Sequence, residues 1–170
     1  TSTRNYYLVL HRGSVDINKS IYFSLSAYER IKTSSVNVSI SGTASNKGNS
    51  SISMSGVNSS VISVNLTNDT KIPNKAIVTR ISSSGTQSPS QGNVHHMIMP
   101  ASNGNWYTST VSSASSGHYN IDIDDGIPVK QKWSFKYNAL ATAKSTMRNV
   151  KLTIEFQYDL HDTDYETYIR

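Results

Sequence analysis

From Val150 to Leu160 the chain reads VKLTIEFQYDL, an unbroken alternation. Val150, Leu152, Ile154, Phe156, Tyr158 and Leu160 face one way, and Lys151, Thr153, Glu155, Gln157 and Asp159 the other. Side chains alternate across a strand, so this run specifies one buried face and one wet face. VKQKWSFKY repeats the plan, with Val129, Trp133, Phe135 and Tyr137 opposite Lys130, Lys132, Ser134 and Lys136.

Period-two patterning dominates elsewhere as well. It predicts strands at Tyr6 to His11, Ser14 to Asn18, Ile21 to Ala27, Ser35 to Ser41, Ser51 to Ser55, Val61 to Leu66, Ala76 to Ile81, His96 to Met99, Trp106 to Val111 and Tyr119 to Ile123. Turn-forming stretches such as SNKGNS, NDTKIPN, ASNGN and DDGIP separate them. NALATAKSTMRN (138–149) is the one segment with helical character, enough for a turn or two. The pattern predicts an all-β fold: an antiparallel β-sandwich, jelly-roll-like, of about 9 to 11 short strands.

A chain of 170 residues reads as a single domain over 1–170. At this size about 70% of the unfolded surface is buried on folding, so a core needs no covalent staple. Residues 161–170 read as an extended tail. No stretch reaches the length of apolar residues that a membrane helix needs, and no signal peptide is evident. The opening TSTRNYYLVL suits a mature chain whose leader has been removed.

Cysteine is absent, which excludes disulfides, thiol nucleophiles and cysteine-type zinc sites. Ser and Thr supply about a quarter of the chain, charged residues only 16%. Net charge is +5, enough to favour anionic surfaces without choosing among them. Aromatics are missing between Tyr28 and Trp106. The later segments are therefore expected to build the dense core, since aromatic side chains bury the most area.

Catalytic signatures fail in turn: no nucleophile elbow, phosphate-binding loop, dinucleotide fingerprint or H-E-x-x-H. The chain is expected not to be an enzyme and to need no cofactor. NIDIDDG places Asn120, Asp122 and Asp124 on one strand face, oxygen ligands of the kind calcium takes. Gly126 falls one place late for a calcium loop, so the wet face of an edge strand running into an Asp-Gly turn is the better reading. His95 and His96 are adjacent, so they point to opposite faces and do not share an ion. Asn18, Asn37, Asn49, Asn58, Asn65 and Asn68 head N-x-S/T triplets, about as many as chance supplies at this Ser and Thr content.

Lys130, Lys132, Lys136 and Lys151 fall in a stretch free of acidic residues, Gly126 to Ile154. Together they make a candidate patch for lipid phosphate or acidic glycan. The core aromatics alternate with these lysines, so the stacking partners of a nucleic-acid reader are lacking on that face. No specific nucleic acid is expected.

The most unusual stretch is SSVNVSISGTASNKGNSSISMSGVNSSVISVNL (34–66), serine-laced and without an aromatic. It suits an exposed, hydroxyl-rich sheet in a secreted or particle-surface protein. The leading expectation is a structural or adhesive subunit of a fibre or appendage that assembles by donating terminal strands. Tyr6, Leu8 and Leu10 at one end and Tyr165 and Tyr168 at the other are the candidate donors. The expected partners are further copies or other surface subunits, with an anionic membrane or a glycan as alternatives. A pore-forming toxin would instead use 34–66 as an amphipathic hairpin, with Val36, Val38 and Ile40 facing Ile52, Met54 and Val57 across a turn. A glycan-binding module would use Trp106 and Tyr107 for stacking, and a virion component resembles the fibre subunit.

Overall fold

The computed structural model describes residues 30–109, 119–123 and 126–160 without interruption, together with residues 9, 13, 14, 16, 18–20, 22 and 24. Ten strands run through the described residues: β1 (Ile31–Ile40), β2 (Ala44–Asn46), β3 (Val57–Asn58), β4 (Ile62–Asn65), β5 (Ile77–Ser88), β6 (Val94–Pro100), β7 (Tyr107–Thr108), β8 (Tyr119–Ile121), β9 (Lys132–Ala139) and β10 (Ser145–Asp159). All pair antiparallel. The first sheet has the order β1-β10-β5-β8, with β2 also on β10; the second has β3-β9-β6-β7, with β4 also on β9. The two sheets pack against each other as a β-sandwich, as the alternation implies. The strands are less uniformly short than expected, since β10 has 15 residues and β5 has 12.

Each long stretch of chain passes through both sheets. β1 and β2 lie along β10, and β3 and β4 then lie along β9, so residues 31–65 run antiparallel to residues 159–132 through one sheet and into the other. β5 and β6 follow β10 and β9 on the opposite side. β8 and β7 flank these in turn. The crossings at 47–56, 89–93 and 140–144 therefore gather at one end of the sandwich, the bend end. The starts of β1, β5 and β9 and the finish of β10 gather at the other, the open end.

The core lies between the inner faces. Along β10, Met147, Val150, Leu152, Ile154 and Phe156 are buried. The extra residue between Met147 and Val150 is taken up by a bulge, where Asn149 adopts a left-handed φ of 53°. Asn tolerates this conformation better than most residues, and the bulge bends the strand. Trp133, Phe135 and Tyr137 of β9 are fully buried beneath it, each worth about 2–3 kcal/mol of transfer free energy. Their polar ends are satisfied: the Trp133 Nε1–H donates to the Val129 carbonyl at 3.0 Å, and the Tyr137 hydroxyl lies 2.9 Å from Ser145 Oγ.

Three expectations need correction. The 138–149 segment is not helical: β9 continues to Ala139, β10 begins at Ser145, and pairing of Thr146–Arg148 with β5 overrides the local preference. Ser51 to Ser55 is a loop, because the buried Asn49 side chain takes its backbone bonds: Oδ1 accepts from Ser53 N at 2.9 Å, and Nδ2 donates to Ser53 O at 2.8 Å. Residues 34–66 do not pair as a hairpin. Val36, Val38 and Ile40 sit on β1 in the first sheet, Val57 on β3 in the second, and Ile52 and Met54 on the loop between. The expected strands between Tyr6 and Ala27 fall largely outside the described residues.

Candidate functional site

The edge strand β1 has the most suggestive geometry. Its register with β10 runs from Ile31↔Asp159 to Ile40↔Val150 without a bulge. Leu160 N–H donates to the Arg30 carbonyl at 3.0 Å, which fixes the phase of the ladder. Hydrogen-bonded and non-bonded pairs alternate in an antiparallel pair. Lys32, Ser34, Val36, Val38 and Ile40 therefore bond to β10, and Ile31, Thr33, Ser35, Asn37 and Ser39 aim their N–H and C=O groups away from it. Among the described residues no strand pairs with that outer edge.

Lys32 is the one charge on β1, and beyond it the usual sequence protections of an edge are missing. No charged residue and no proline occurs from Thr33 to Asn46, although charges, prolines and bulges are the common means of blocking edge pairing. Apart from Ile31, the β1 side chains that share this outer face are small and hydroxylated or amidic, and Thr153 Oγ1 donates to Asn37 Oδ1 at 2.8 Å across the β10 pairing. At the open end Arg30 closes the ladder with an ion pair to Asp159, at 2.6 Å.

The candidate donors Tyr6, Leu8, Leu10, Tyr165 and Tyr168 lie outside the described residues. Terminal alternation draws attention to the ends of the chain, whereas the open strand edge in the described structure is β1. An uncharged, proline-free run beginning at Thr33 was the signal available for it.

The lysine patch is not one surface. Lys132 and Lys136 project from β9 in the second sheet, whereas Lys151 projects from β10 in the first, so they stand on opposite outer faces of the sandwich. β9 and β10 are consecutive in sequence but cross between sheets instead of pairing. Lys130 is held by Asn74, with its Nζ donating to Oδ1 at 2.7 Å.

Lys136 has a different partner: its Nζ sits 4.1 Å from the centroid of the Trp106 ring. This is a cation–π contact. Partial burial lowers the Lys136 pKa from its ordinary value. An aromatic thus does share a face with a lysine, which strand alternation within β9 could not reveal because Trp106 comes from beside β7. The contact also covers one face of the ring proposed for glycan stacking. Tyr107 is half-buried, and its hydroxyl accepts from Asn103 Nδ2 at 2.8 Å.

The calcium candidates do not assemble. Asn120 and Asp122 are on the exposed face of β8 and just beyond it, as expected, but Asn120 Oδ1 accepts from the Arg80 guanidinium at 3.1 Å. A cation already occupies that oxygen. Asp124 lies outside the described residues, and among those described no cluster of three acidic or histidine ligands exists. Of the N-x-S/T asparagines, Asn49 is only 1% exposed, so the folded chain hides it from modification.

The adjacent histidines point to opposite faces. His95 Nδ1 lies 3.1 Å from the Ser109 carbonyl. His96 is fully buried between the sheets, stacked on Tyr119 at 3.6 Å between centroids and edge-on to Phe135 at 5.2 Å. Its Nδ1 is 2.9 Å from Ser83 Oγ, and Nε2 has no hydrogen-bond partner in the protein. Burial lowers its pKa from 6.5 to about 3, because an imidazolium there would lose its hydration.

Shallow grooves accompany the bulge and the bend end. One, of about 720 Å³, runs along Ser39–Thr43 and Arg148–Lys151. The other, about 440 Å³, is lined by Ser45–Lys47, Ser88 and Lys144–Thr146.

No family model matches the chain. It is similar to the uncharacterized protein YbdN of Bacillus subtilis (strain 168), at 49% identity over 159 residues. That alignment takes in 94% of this chain and 55% of YbdN, so the chain spans about half the length of this relative.

Proposed function

We propose that this chain is a non-enzymatic structural or adhesive β-sandwich subunit, acting outside the cell or on a particle surface. It assembles by accepting a strand onto the free edge of β1. One observation carries the reading: a bulge-free edge of 10 residues whose single charge, Lys32, sits at the open end, and which from Thr33 to Ile40 carries no charge, proline or bulge to keep it from pairing. Strand addition supplies affinity through main-chain hydrogen bonds, so an accepting edge needs little side-chain chemistry. The alternating segments around Tyr6, Leu8 and Leu10 of a second copy are the donors that suit it. A hydroxylated outer face, with Ser35, Ser39, Ser82 and Thr153 on the first sheet, fits an exterior surface that resists nonspecific contact.

Negative-stain electron microscopy together with light scattering tests the proposal. The unmodified chain is expected to form filaments or regular oligomers. Ser35→Pro removes an outward N–H that β10 does not use and is expected to abolish them. Ser35→Lys, which places a charge on the edge without altering the backbone, is expected to weaken them strongly. A strictly monomeric chain at micromolar to millimolar concentration overturns the proposal, as does assembly indifferent to both substitutions.

A further inference from the structure

The two ends of the sandwich differ in charge and in what they expose. From residue 30 onward the described acidic residues are Asp69, Asp122, Glu155 and Asp159. Asp69 lies on the connection from β4 to β5, Asp122 just past β8, and Glu155 and Asp159 on the late half of β10, all toward the open end. At the bend end the described residues include no acid. They include exposed Lys47, Lys144 and Arg148, and neither Lys47 nor Lys144 pairs with a carboxylate among the described residues.

The same end presents two bare apolar side chains. Ile52 is 77% exposed and Met54 is 91% exposed. Their loop is firmly held: Asn49 Nδ2 reaches the Leu140 carbonyl at 3.0 Å, its backbone N–H reaches the Ala141 carbonyl at 2.9 Å, and Asn138 Nδ2 reaches Ser55 O at 3.2 Å. Ile52 has a φ of 52°, a conformation that β-branched residues seldom adopt. A fixed loop that holds Ile and Met outward, at the same end as the exposed Lys47 and Lys144, has the composition of a lipid-interface anchor.

We propose that the bend end docks on an anionic lipid bilayer, with Ile52 and Met54 entering the headgroup–acyl boundary and Lys47 and Lys144 meeting lipid phosphates. This is independent of strand addition at β1, which lies along the side of the sandwich.

Cosedimentation of the full chain with vesicles of phosphatidylcholine alone, or with added phosphatidylglycerol, tests it. Binding is expected only to the anionic vesicles. Ile52→Asp/Met54→Asp is expected to weaken it about tenfold or more, as loss of two buried apolar side chains requires. Lys47→Glu/Lys144→Glu is expected to do the same, and Lys71→Glu/Lys132→Glu, an equal charge change at the open end, to leave it nearly unchanged. All the substituted side chains are exposed, and circular dichroism and thermal midpoints establish that each variant folds. Absence of binding to anionic vesicles, equal loss in both lysine pairs, or binding indifferent to Ile52 and Met54 overturns the proposal. So does retention on heparin with no vesicle binding, which would point to a sulfated glycan instead.

Discussion

Ser83 of β5 and His96 of β6 join the two sheets through the middle of the core, Oγ to Nδ1 at 2.9 Å, with both residues almost fully buried. Like the Tyr137–Ser145 bond between β9 and β10, the pair is a polar link between the sheets, and it leaves His96 Nε2 without a partner.

This link makes stability depend on pH. The His96 pKa falls from 6.5 to about 3 on folding, so below pH 6.5 the unfolded chain binds a proton that the folded chain refuses. Its contribution is neutral above the unfolded pKa, and stability is lost as pH falls from 6.5 toward 3. Lowering the pH from 7 to 5 is expected to cost about 2 kcal/mol from this group. His96→Phe combined with Ser83→Ala replaces both polar partners with apolar groups, which is expected to be near neutral at pH 7 and to remove that part of the slope. Urea unfolding of both proteins at pH 5 and 7 measures the difference. Equal slopes would show that the imidazole is not kept neutral.

Glycine matters at Gly48 for two reasons at once. Its φ is +83°, and a Cβ there would stand 2.1 Å from the Thr142 carbonyl oxygen, a backbone atom that cannot swing aside. Gly48→Ala is expected to cost about 3 kcal/mol or more. Gly104 has a similar φ of +69° with open space around it, so Gly104→Ala is expected to cost only about 1 kcal/mol. Thermal midpoints of the two variants side by side separate steric from conformational strain.

Asn49 holds the bend-end loop with three side-chain hydrogen bonds. Truncation to Ala would leave the Leu140 carbonyl and the Ser53 amide short of partners in a mostly dry site. The expected loss is about 2–4 kcal/mol, with faster amide exchange over 50–56 than elsewhere. Exchange unchanged in that loop would show that the Asn49 bonds do not hold it.

Lys136→Ala uncovers the Trp106 ring, while Trp133 stays fully buried. A stability change within about 1 kcal/mol is expected for the exposed cation–π contact. Acrylamide quenching should rise, and the rise should vanish in a Trp106→Phe background. Quenching that is unaltered by Lys136→Ala would mean that the ammonium does not shield the ring.

The sandwich was legible because the strands that build its core alternate cleanly. Every apolar residue assigned inward from Val150 to Phe156 is buried, as are Val129, Trp133, Phe135 and Tyr137. What the pattern hid was pairing. Nothing local shows that β9 and β10 enter different sheets, so lysines that seemed to share a face were separated and Lys136 met an aromatic from another segment. Ser51–Ser55 alternates like a strand, yet one buried asparagine claims its backbone. Helix-favouring residues at 138–149 yielded to pairing with β5. For the edge at β1 the composition was visible in the sequence, but exposure of its outer side is a property of sheet order.

Arg30 and Leu160 stand side by side at the open end, joined by a backbone hydrogen bond. Chain preceding the one and following the other therefore departs from the same corner. Tension applied across those two segments would act on the β1–β10 ladder one rung at a time, beginning at the Arg30–Leu160 bond, and would not draw on many bonds in parallel. Such a fold is mechanically weak when pulled by these two strands. A stretching experiment anchored there should peel it open at far lower force than one anchored at Ile52 and Leu160, on opposite ends of the sandwich.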